Sequence, residues 1–432
     1  MTSRTSHARA FADWALARTR DRVVRNLGWT GLAEVGVRLS RLVTTIILAR
    51  LLLPEDFGLV AIALTAFELV RVLANNGVGL TIVRAADADL EQMCSTAFRI
   101  SFGVVAAMVV LLVATGAVLE YRTGRTDLFA MLAILAASFL VLPITEVRYC
   151  RLLRAQRLKT IAGITAAQVL LDNVLTAALA LSGWHMWAVI LPKLLTAPVY
   201  AYMLWRAEPW RPNLALPSLP LAPIVRFALP VLGTELLTSL RMNLDKVLVG
   251  AVLGVSVLGI YSFAFNAGLG LSLAFTSALS ASLYPHFCEV ARDRDALAAR
   301  LDQALKAGVL LILLVIALQS IAALVYVPIV FGERWAFAAP LVAMLCASGI
   351  ARPLYEAASQ ALRARGETHL DFAASMLFTA LLLTAFALAL PAGLATAISV
   401  LATVSIIGHV SMLAWVRQRL AAPAPVVSGV PA

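Results

Sequence analysis

The sequence is poor in charge. Only 14% of its 432 residues are Asp, Glu, Lys or Arg, and 61% are apolar, against about 25% charged in soluble domains. A water-soluble enzyme is therefore excluded. Four cysteines are too few for a disulfide scaffold, and a mean hydropathy of +0.89 excludes a disordered chain. There is no Walker loop, zinc motif or nucleophile elbow. His185, His286, His369 and His409 are scattered without metal-ligand spacing. The sequence thus predicts no cofactor, no metal and no enzymatic activity. The first 28 residues also lack a signal peptide's apolar core of about seven residues or more, which predicts insertion through the first span itself.

What the chain does contain is apolar runs of helical length. At roughly 20 residues per span, they fall near residues 29–52, 57–82, 96–119, 128–147, 161–182 and 184–205. After a Pro-rich connector from Glu208 to Pro223 come 227–253, 256–283, 304–328, 335–356, 370–391 and 394–416. The expected architecture is an all-α polytopic membrane protein of about 12 transmembrane helices, in two pseudo-symmetric six-helix halves around a central cavity. Its parts are a basic segment 1–28, an N-terminal lobe 29–205, a connector 206–226, a C-terminal lobe 227–416 and a tail 417–432.

A net charge of +11 would suggest nucleic acid in a soluble protein. The placement of the cations argues against that partner. Loops and tails on one side of the membrane hold 23 Lys and Arg residues, whereas the other side holds four: Arg50, Arg122, Arg125 and Arg334. Short basic loops resist translocation, so both termini are expected to be cytoplasmic. Cys94, Cys150 and Cys288 fall in loops assigned to that reducing side, while Cys346 lies in a span; all read as small buried hydrophobes. Phe11, Trp14 and Leu16 among six Arg fit either a helix lying on anionic lipid or a solvated basic tail.

The two halves resemble each other. Leu48-Ala-Arg-Leu-Leu-Leu-Pro-Glu-Asp-Phe-Gly58-Leu-Val aligns without gaps on Val249-Gly-Ala-Val-Leu-Gly-Val-Ser-Val-Leu-Gly259-Ile-Tyr. A second match sets Leu135-Ala-Ala-Ser138, Pro143 and Glu146 against Leu345-Cys-Ala-Ser348, Pro353 and Glu356. Two matches in order, at offsets of 201 and 210, point to a duplicated six-helix unit. Such repeats place substrate between lobes that rock in alternating access.

Ionisable residues inside the spans carry the functional signal, since each costs at least about 2.5–3.5 kcal/mol at mid-membrane. Glu34, Arg38, Arg41 and Thr45 share one stripe of the first helix, and Glu68, Arg71 and Asn75 one stripe of the second. The fifth carries Thr165, Gln168, Asp172 and Thr176 on one face, and the sixth holds Lys193 beside Pro192. The seventh presents Glu235, Thr238, Ser239, Asp245 and Lys246, with Arg241 at the edge. Glu34–Arg38 and Glu68–Arg71 have the spacing of structural ion pairs. Arg41, Lys193, Arg241 and Arg352 have no obvious local partner, except Asp245 for Arg241. A hydrated, cation-rich cavity is the simplest arrangement, and Arg forks suit a phosphate guest. Asp87-Ala-Asp89 and Asp293-Arg-Asp295 mimic a metal-binding Asp-x-Asp but read as solvated linker faces. Pro192, Pro230 and Pro353 mark kinks or hinges.

On the stretch Leu48 to Leu59, and on Asp245-Lys-Val-Leu-Val-Gly250 followed by Leu258-Gly-Ile-Tyr261, the chain resembles a polysaccharide flippase. It is similar to the Wzx-type and exopolysaccharide-transporter branch of the multidrug/oligosaccharidyl-lipid/polysaccharide superfamily, from about residue 26 to 418. The resemblance implies transport of an undecaprenyl-diphosphate-linked oligosaccharide across the bacterial inner membrane for exopolysaccharide or lipopolysaccharide export. Membrane lipids, and a glycan polymerase and export machinery, are the further partners implied, with the transporter a monomer. The diphosphate would meet Arg38, Arg41, Arg71, Lys193, Arg241, Lys246 or Arg352. Because family members use ion gradients, Glu34, Glu68, Asp172, Glu235 and Asp245 become candidate coupling carboxylates. The chain lacks the two extra helices of lipid II flippases, so that substrate is not implied. The competing readings are an ion-coupled drug/cation antiporter of the same superfamily and a membrane-embedded glycan polymerase or ligase.

Overall fold

A computed structural model describes residues 22–75, 77–269, 276, 283–284, 286–291 and 293–421. Among them there is no β-strand. The first six helices are α1 (Arg22–Leu51), α2 (Pro54–Arg84), α3 (Asp87–Thr123), α4 (Thr126–Arg154), α5 (Leu158–Leu181) and α6 (Trp187–Ala207). The second six are α7 (Leu221–Leu253), the shorter α8 (Val255–Leu269), α9 (Leu310–Phe331), α10 (Glu333–Ala364), α11 (Thr368–Ala392) and α12 (Leu394–Ala421). All but α1 and α8 are long and apolar enough to cross a bilayer. This is an all-α, multi-pass membrane protein built of two six-helix halves.

Several boundaries differ from the sequence expectation: α3 starts at Asp87 rather than 96, α4 ends at Arg154 rather than 147, and α10 ends at Ala364 rather than 356. α7 starts at Leu221 rather than 227, with Pro223 in its first turn, where a missing N–H forfeits no helical hydrogen bond. α9 is preceded by a helix from Arg294 to Ala304, whose N-cap is Asp293; the carboxylate accepts from the backbone N–H of Asp295 at 3.0 Å and Ala296 at 3.1 Å. That Asp-x-Asp is therefore a helix start. Phe11, Trp14 and Leu16, the side chains of Glu34 and Asn75, and most of residues 270–283 lie outside the described residues.

The duplication is visible in the backbone. α4 breaks at a 3₁₀ turn, Phe139–Val141, and resumes at Leu142 with Pro143 in its first turn. α10 resumes at Arg352 with Pro353 in the same place. Gln156 (φ 54°) and Gly366 (φ 77°) then close these helices in the left-handed region, where a side chain costs roughly 1–2 kcal/mol. Gly183 (φ 82°) and Gly393 (φ 106°) follow. Each pair keeps the 210-residue offset of the second sequence match.

Chain contacts define two compact units, residues 1–52 with 63–243 and residues 53–62 with 244–432. In the first, Val78, Ile82, Cys94, Ala97, Val147, Cys150 and Trp210 form a buried core. The connector is strapped onto it. Arg99 on α3 donates to the carbonyls of Leu214 (2.7 Å) and Leu216 (2.8 Å) and to Ser218 Oγ. Trp210 Nε1 donates to Glu91 at 2.8 Å, and the Leu219 N–H to Thr96 Oγ1 at 3.0 Å.

In the second unit, α2 and α8 cross at the two glycines that the sequence alignment equates. A Cβ on Gly58 would lie 2.0 Å from the Val255 carbonyl oxygen, and one on Gly259 would lie 1.8 Å from that of Pro54. Each glycine thus fits against the residue four positions before the other, the signature of a local two-fold. Phe57, Phe263, Phe331 and Trp335 pack beside this crossing, with Phe263 stacked on Trp335 at 3.9 Å. α9 by contrast leaves Leu311, Leu314, Leu318, Ile321, Val325 and Ile329 exposed, a face suited to acyl chains.

Candidate functional site

In the first unit α1, α5 and α6 bring one polar cluster together. Asn173 Nδ2 donates to Ser40 Oγ at 2.7 Å, and Thr44 Oγ1 donates to the Ser40 carbonyl at 2.9 Å and that of Asn173 at 3.3 Å. Lys193 Nζ donates to Asp172 Oδ2 at 2.5 Å. Their side chains are 33% and 11% exposed, so the pair is largely removed from solvent. The second carboxylate oxygen, Asp172 Oδ1, is buried with no hydrogen-bond partner. Thr176 and Thr196 are buried nearby in sequence on the same two helices.

In the second unit the Tyr261 hydroxyl on α8 donates to Asp245 Oδ2 on α7 at 2.6 Å, and Asp245 Oδ1 is buried without a hydrogen-bond partner. Lys246 Nζ lies 5.1 Å from the centre of the Phe265 ring, a cation–π distance. Arg352 pairs with Glu356 at 3.7 Å; on the same helix Tyr355 makes tilted ring contacts with Phe378 and with buried His409, which also meet each other.

The predicted residues therefore separate into different environments. Arg71 and Glu68 form the i,i+3 pair that their spacing suggests, at 3.5 Å and solvent-exposed. Lys193 and Arg352 are not the lone cations the sequence suggested. Lys193 finds Asp172, 21 residues away on the neighbouring helix, a partner beyond any i±4 search; Arg352 finds Glu356 at i+4. Arg41 is exposed, and among the described residues no carboxylate pairs with it. Arg241 is exposed, Glu235 and Arg38 half-buried, and both Arg38 and Arg241 make further contacts in the fold. Among the described residues no three His, Cys, Asp or Glu side chains converge on a point where a metal could sit. One buried-pocket carboxylate was missed as a candidate: Glu146 on α4, which appeared only as a repeat marker.

At the helix ends, arginines form denser networks. Arg151 pairs with Glu208 (2.9 Å) and Glu91 (2.6 Å), and Arg154 with Asp87 (2.5 Å). In the second unit Arg365 (3.0 Å) and Arg419 (2.9 Å) converge on Glu367. Partial burial pushes the Glu367 carboxyl up, but the two arginine hydrogen bonds prevail and hold it below its ordinary value.

A family model described as "Polysaccharide biosynthesis protein" matches residues 47–340. The chain is 27% identical over 340 residues to the succinoglycan biosynthesis transport protein ExoT of Rhizobium meliloti, covering 77% of this chain and 67% of that protein. It is 23% identical over 363 residues to the lipopolysaccharide biosynthesis protein WzxC of Escherichia coli, covering 82% and 72%. Among solved structures, the lipid II flippase MurJ in an inward closed conformation superposes with a TM-score of 0.73 at 14% identity, covering 90% of this chain and 87% of that one. An inward-facing multidrug resistance MATE family transporter of the MOP superfamily gives 0.66 at 14% identity, covering 89% and 94%. These two likenesses establish the fold.

Proposed function

The chain belongs to the polysaccharide biosynthesis protein family, and from that membership we propose that it flips a lipid-linked oligosaccharide across the bacterial inner membrane. The relatives named for succinoglycan transport and lipopolysaccharide biosynthesis support a glycan cargo, and the MurJ-like fold supports a lipid-linked one. The observation that carries the reading is Arg41. It lies ten residues, about 15 Å, from the Leu51 end of α1, half of a hydrocarbon core roughly 30 Å thick. A guanidinium exposed at that depth is tolerable beside water or an anion. The diphosphate of an undecaprenyl-diphosphate carrier supplies that anion, met bidentately by Arg41 with Arg38, Arg71 and Arg241 as further contacts. Lys193, Lys246 and Arg352, held by Asp172, the Phe265 ring and Glu356, act as positioned charges that exchange partners as the cargo passes. Glu34, Glu68, Asp172, Glu235 and Asp245 remain the candidate coupling carboxylates, and the arginine bias supports cytoplasmic termini.

The test is reconstitution into liposomes with a diphosphate-linked oligosaccharide, scoring its movement between leaflets. Protein-dependent movement is expected, and its absence with correctly inserted protein defeats the reading. The second reading, an ion-coupled drug antiporter, draws on the buried acids Asp172 and Asp245; efflux of organic cations from the same liposomes would favour it.

A further inference from the structure

Glu146 lies eight residues, about 12 Å, from the Arg154 end of α4. It lines a small pocket with Gly79, Ser101, Val105, Met108 and Leu142, with room for one water-sized guest. The wall is shaped around the acid. A Cβ on Gly79 would lie 2.5 Å from Glu146 Oε1 and 2.6 Å from Cys150 Sγ, so glycine is what admits this pair. The Cys150 thiol donates to Glu146 Oε1 at 3.6 Å.

The cations around it are all committed elsewhere. On α4, Arg148 donates to the carbonyls of Ile144 and Trp210, Arg151 to Glu91 and Glu208, and Arg154 to Asp87 and the carbonyls of Ile82, Val83 and Ala85. From α2, Arg71 pairs with Glu68 and Arg84 lies over the Phe227 ring. From α3, Arg99 holds the connector, and Cys94 is buried near Cys150. Tyr149 on α4 and Tyr200 on α6 are the remaining titratable groups that sense Glu146. Among the described residues no cation pairs with it.

The duplication turns this into a comparison. At the equivalent position of the second half stands Glu356, and Arg352, four residues earlier, pairs with it. In the first half the position of Arg352 is occupied by Leu142. One copy of the carboxylate is neutralised by a fixed arginine; the other has only an exchangeable partner left to it.

We propose that Glu146, with Cys150, is a proton-binding site that couples proton movement to transport. A proton from water adds to a Glu146 carboxylate oxygen and takes the side chain from −1 to 0; release reverses the step. The ligand is a proton rather than a metal cation, because hard cations take about six oxygen ligands and this pocket offers one carboxylate and the Ser101 hydroxyl among apolar walls, with the Cys150 thiol against the carboxylate. What the proton drives rests on the flippase reading above. Its binding does not.

Purified full-length protein in lipid nanodiscs, without substrate, is titrated between about pH 4 and 10 while the infrared carbonyl band of protonated carboxylic acids is followed. A band that titrates in the wild type, is absent in Glu146→Gln and is suppressed in Leu142→Arg, which rebuilds the second half's ion pair, supports the site. Spectra of Glu146→Gln identical to wild type at every pH overturn it, as does a midpoint that moves when sodium replaces potassium. Should Glu146→Gln not fold, Leu142→Arg carries the same test alone. In the liposome assay the wild-type flipping rate should change up to about tenfold per pH unit, the response of one titrating group, and Glu146→Gln should be flat. If the wild type flips nothing, the flippase reading fails while the titration still decides the proton site.

Discussion

Lys193 and Asp172 show what a single charge costs in this chain. Breaking a fully buried pair by removing one partner costs about 3–5 kcal/mol; with Lys193 33% exposed, water screens the loss to about 2 kcal/mol. Lys193→Met should therefore lower the thermal stability of the solubilised protein, and adding Asp172→Asn should restore most of it. A double variant no better than the single one would show that the contact is incidental. Glu367 gives a pH signature. Its carboxyl is held low by Arg365 and Arg419, so its contribution is fully present above the ordinary glutamate value near 4.3 and is lost as pH falls through the lower folded value. Arg419→Gln should make the protein lose its fold at a higher pH during acid titration, followed by circular dichroism; an unmoved acid transition would remove Glu367 from the account.

At the scale of the element, the helices and the break at Pro353 were legible and the order of the connector was not. Apolar run length predicted twelve spans because burial in lipid demands it, and ten helices among the described residues meet that requirement; yet nothing in Leu214, Leu216 or Ser218 announces that Arg99 will bind them, since a carbonyl or hydroxyl acceptor leaves no mark in sequence. The connector read as a linker and is an ordered strap. Arg99→Ala should weaken it by about 2 kcal/mol and speed protease cleavage between residues 211 and 219, with α3 itself intact. The Gly58–Gly259 crossing was half legible: alignment paired the residues, but only geometry shows that they meet. Because the clash at each is with backbone, Gly58→Ala or Gly259→Ala should abolish monodisperse protein on size-exclusion chromatography. Gly103→Ala and Gly163→Ala, where a Cβ meets nothing within 4 Å, are the controls and should stabilise their helices by up to about 1 kcal/mol.

For the whole molecule, the two-half architecture was readable because duplication leaves repeated signals, whereas the charge balance of the candidate site was not. Lys193 meets Asp172 across 21 residues, and sequence spacing cannot see such pairs. Fewer cations are therefore unanswered than composition suggests, and the case for the cargo concentrates on Arg41 of α1. Arg41→Ala and Arg241→Ala should each abolish glycan export, measured as exopolysaccharide output, while membrane insertion stays normal. Normal output from both variants would take these residues out of the pathway. The α2–α8 crossing also sets a timetable. Pro54 leaves the ribosome about 200 residues before Val255, and at roughly 5–20 residues per second that is a wait of some 10–40 s. During that interval the flat glycine face at Gly58 is in the membrane with its docking surface not yet made, so a chaperone or the insertion machinery has a defined stretch, residues 53–62, to shield until the second half arrives.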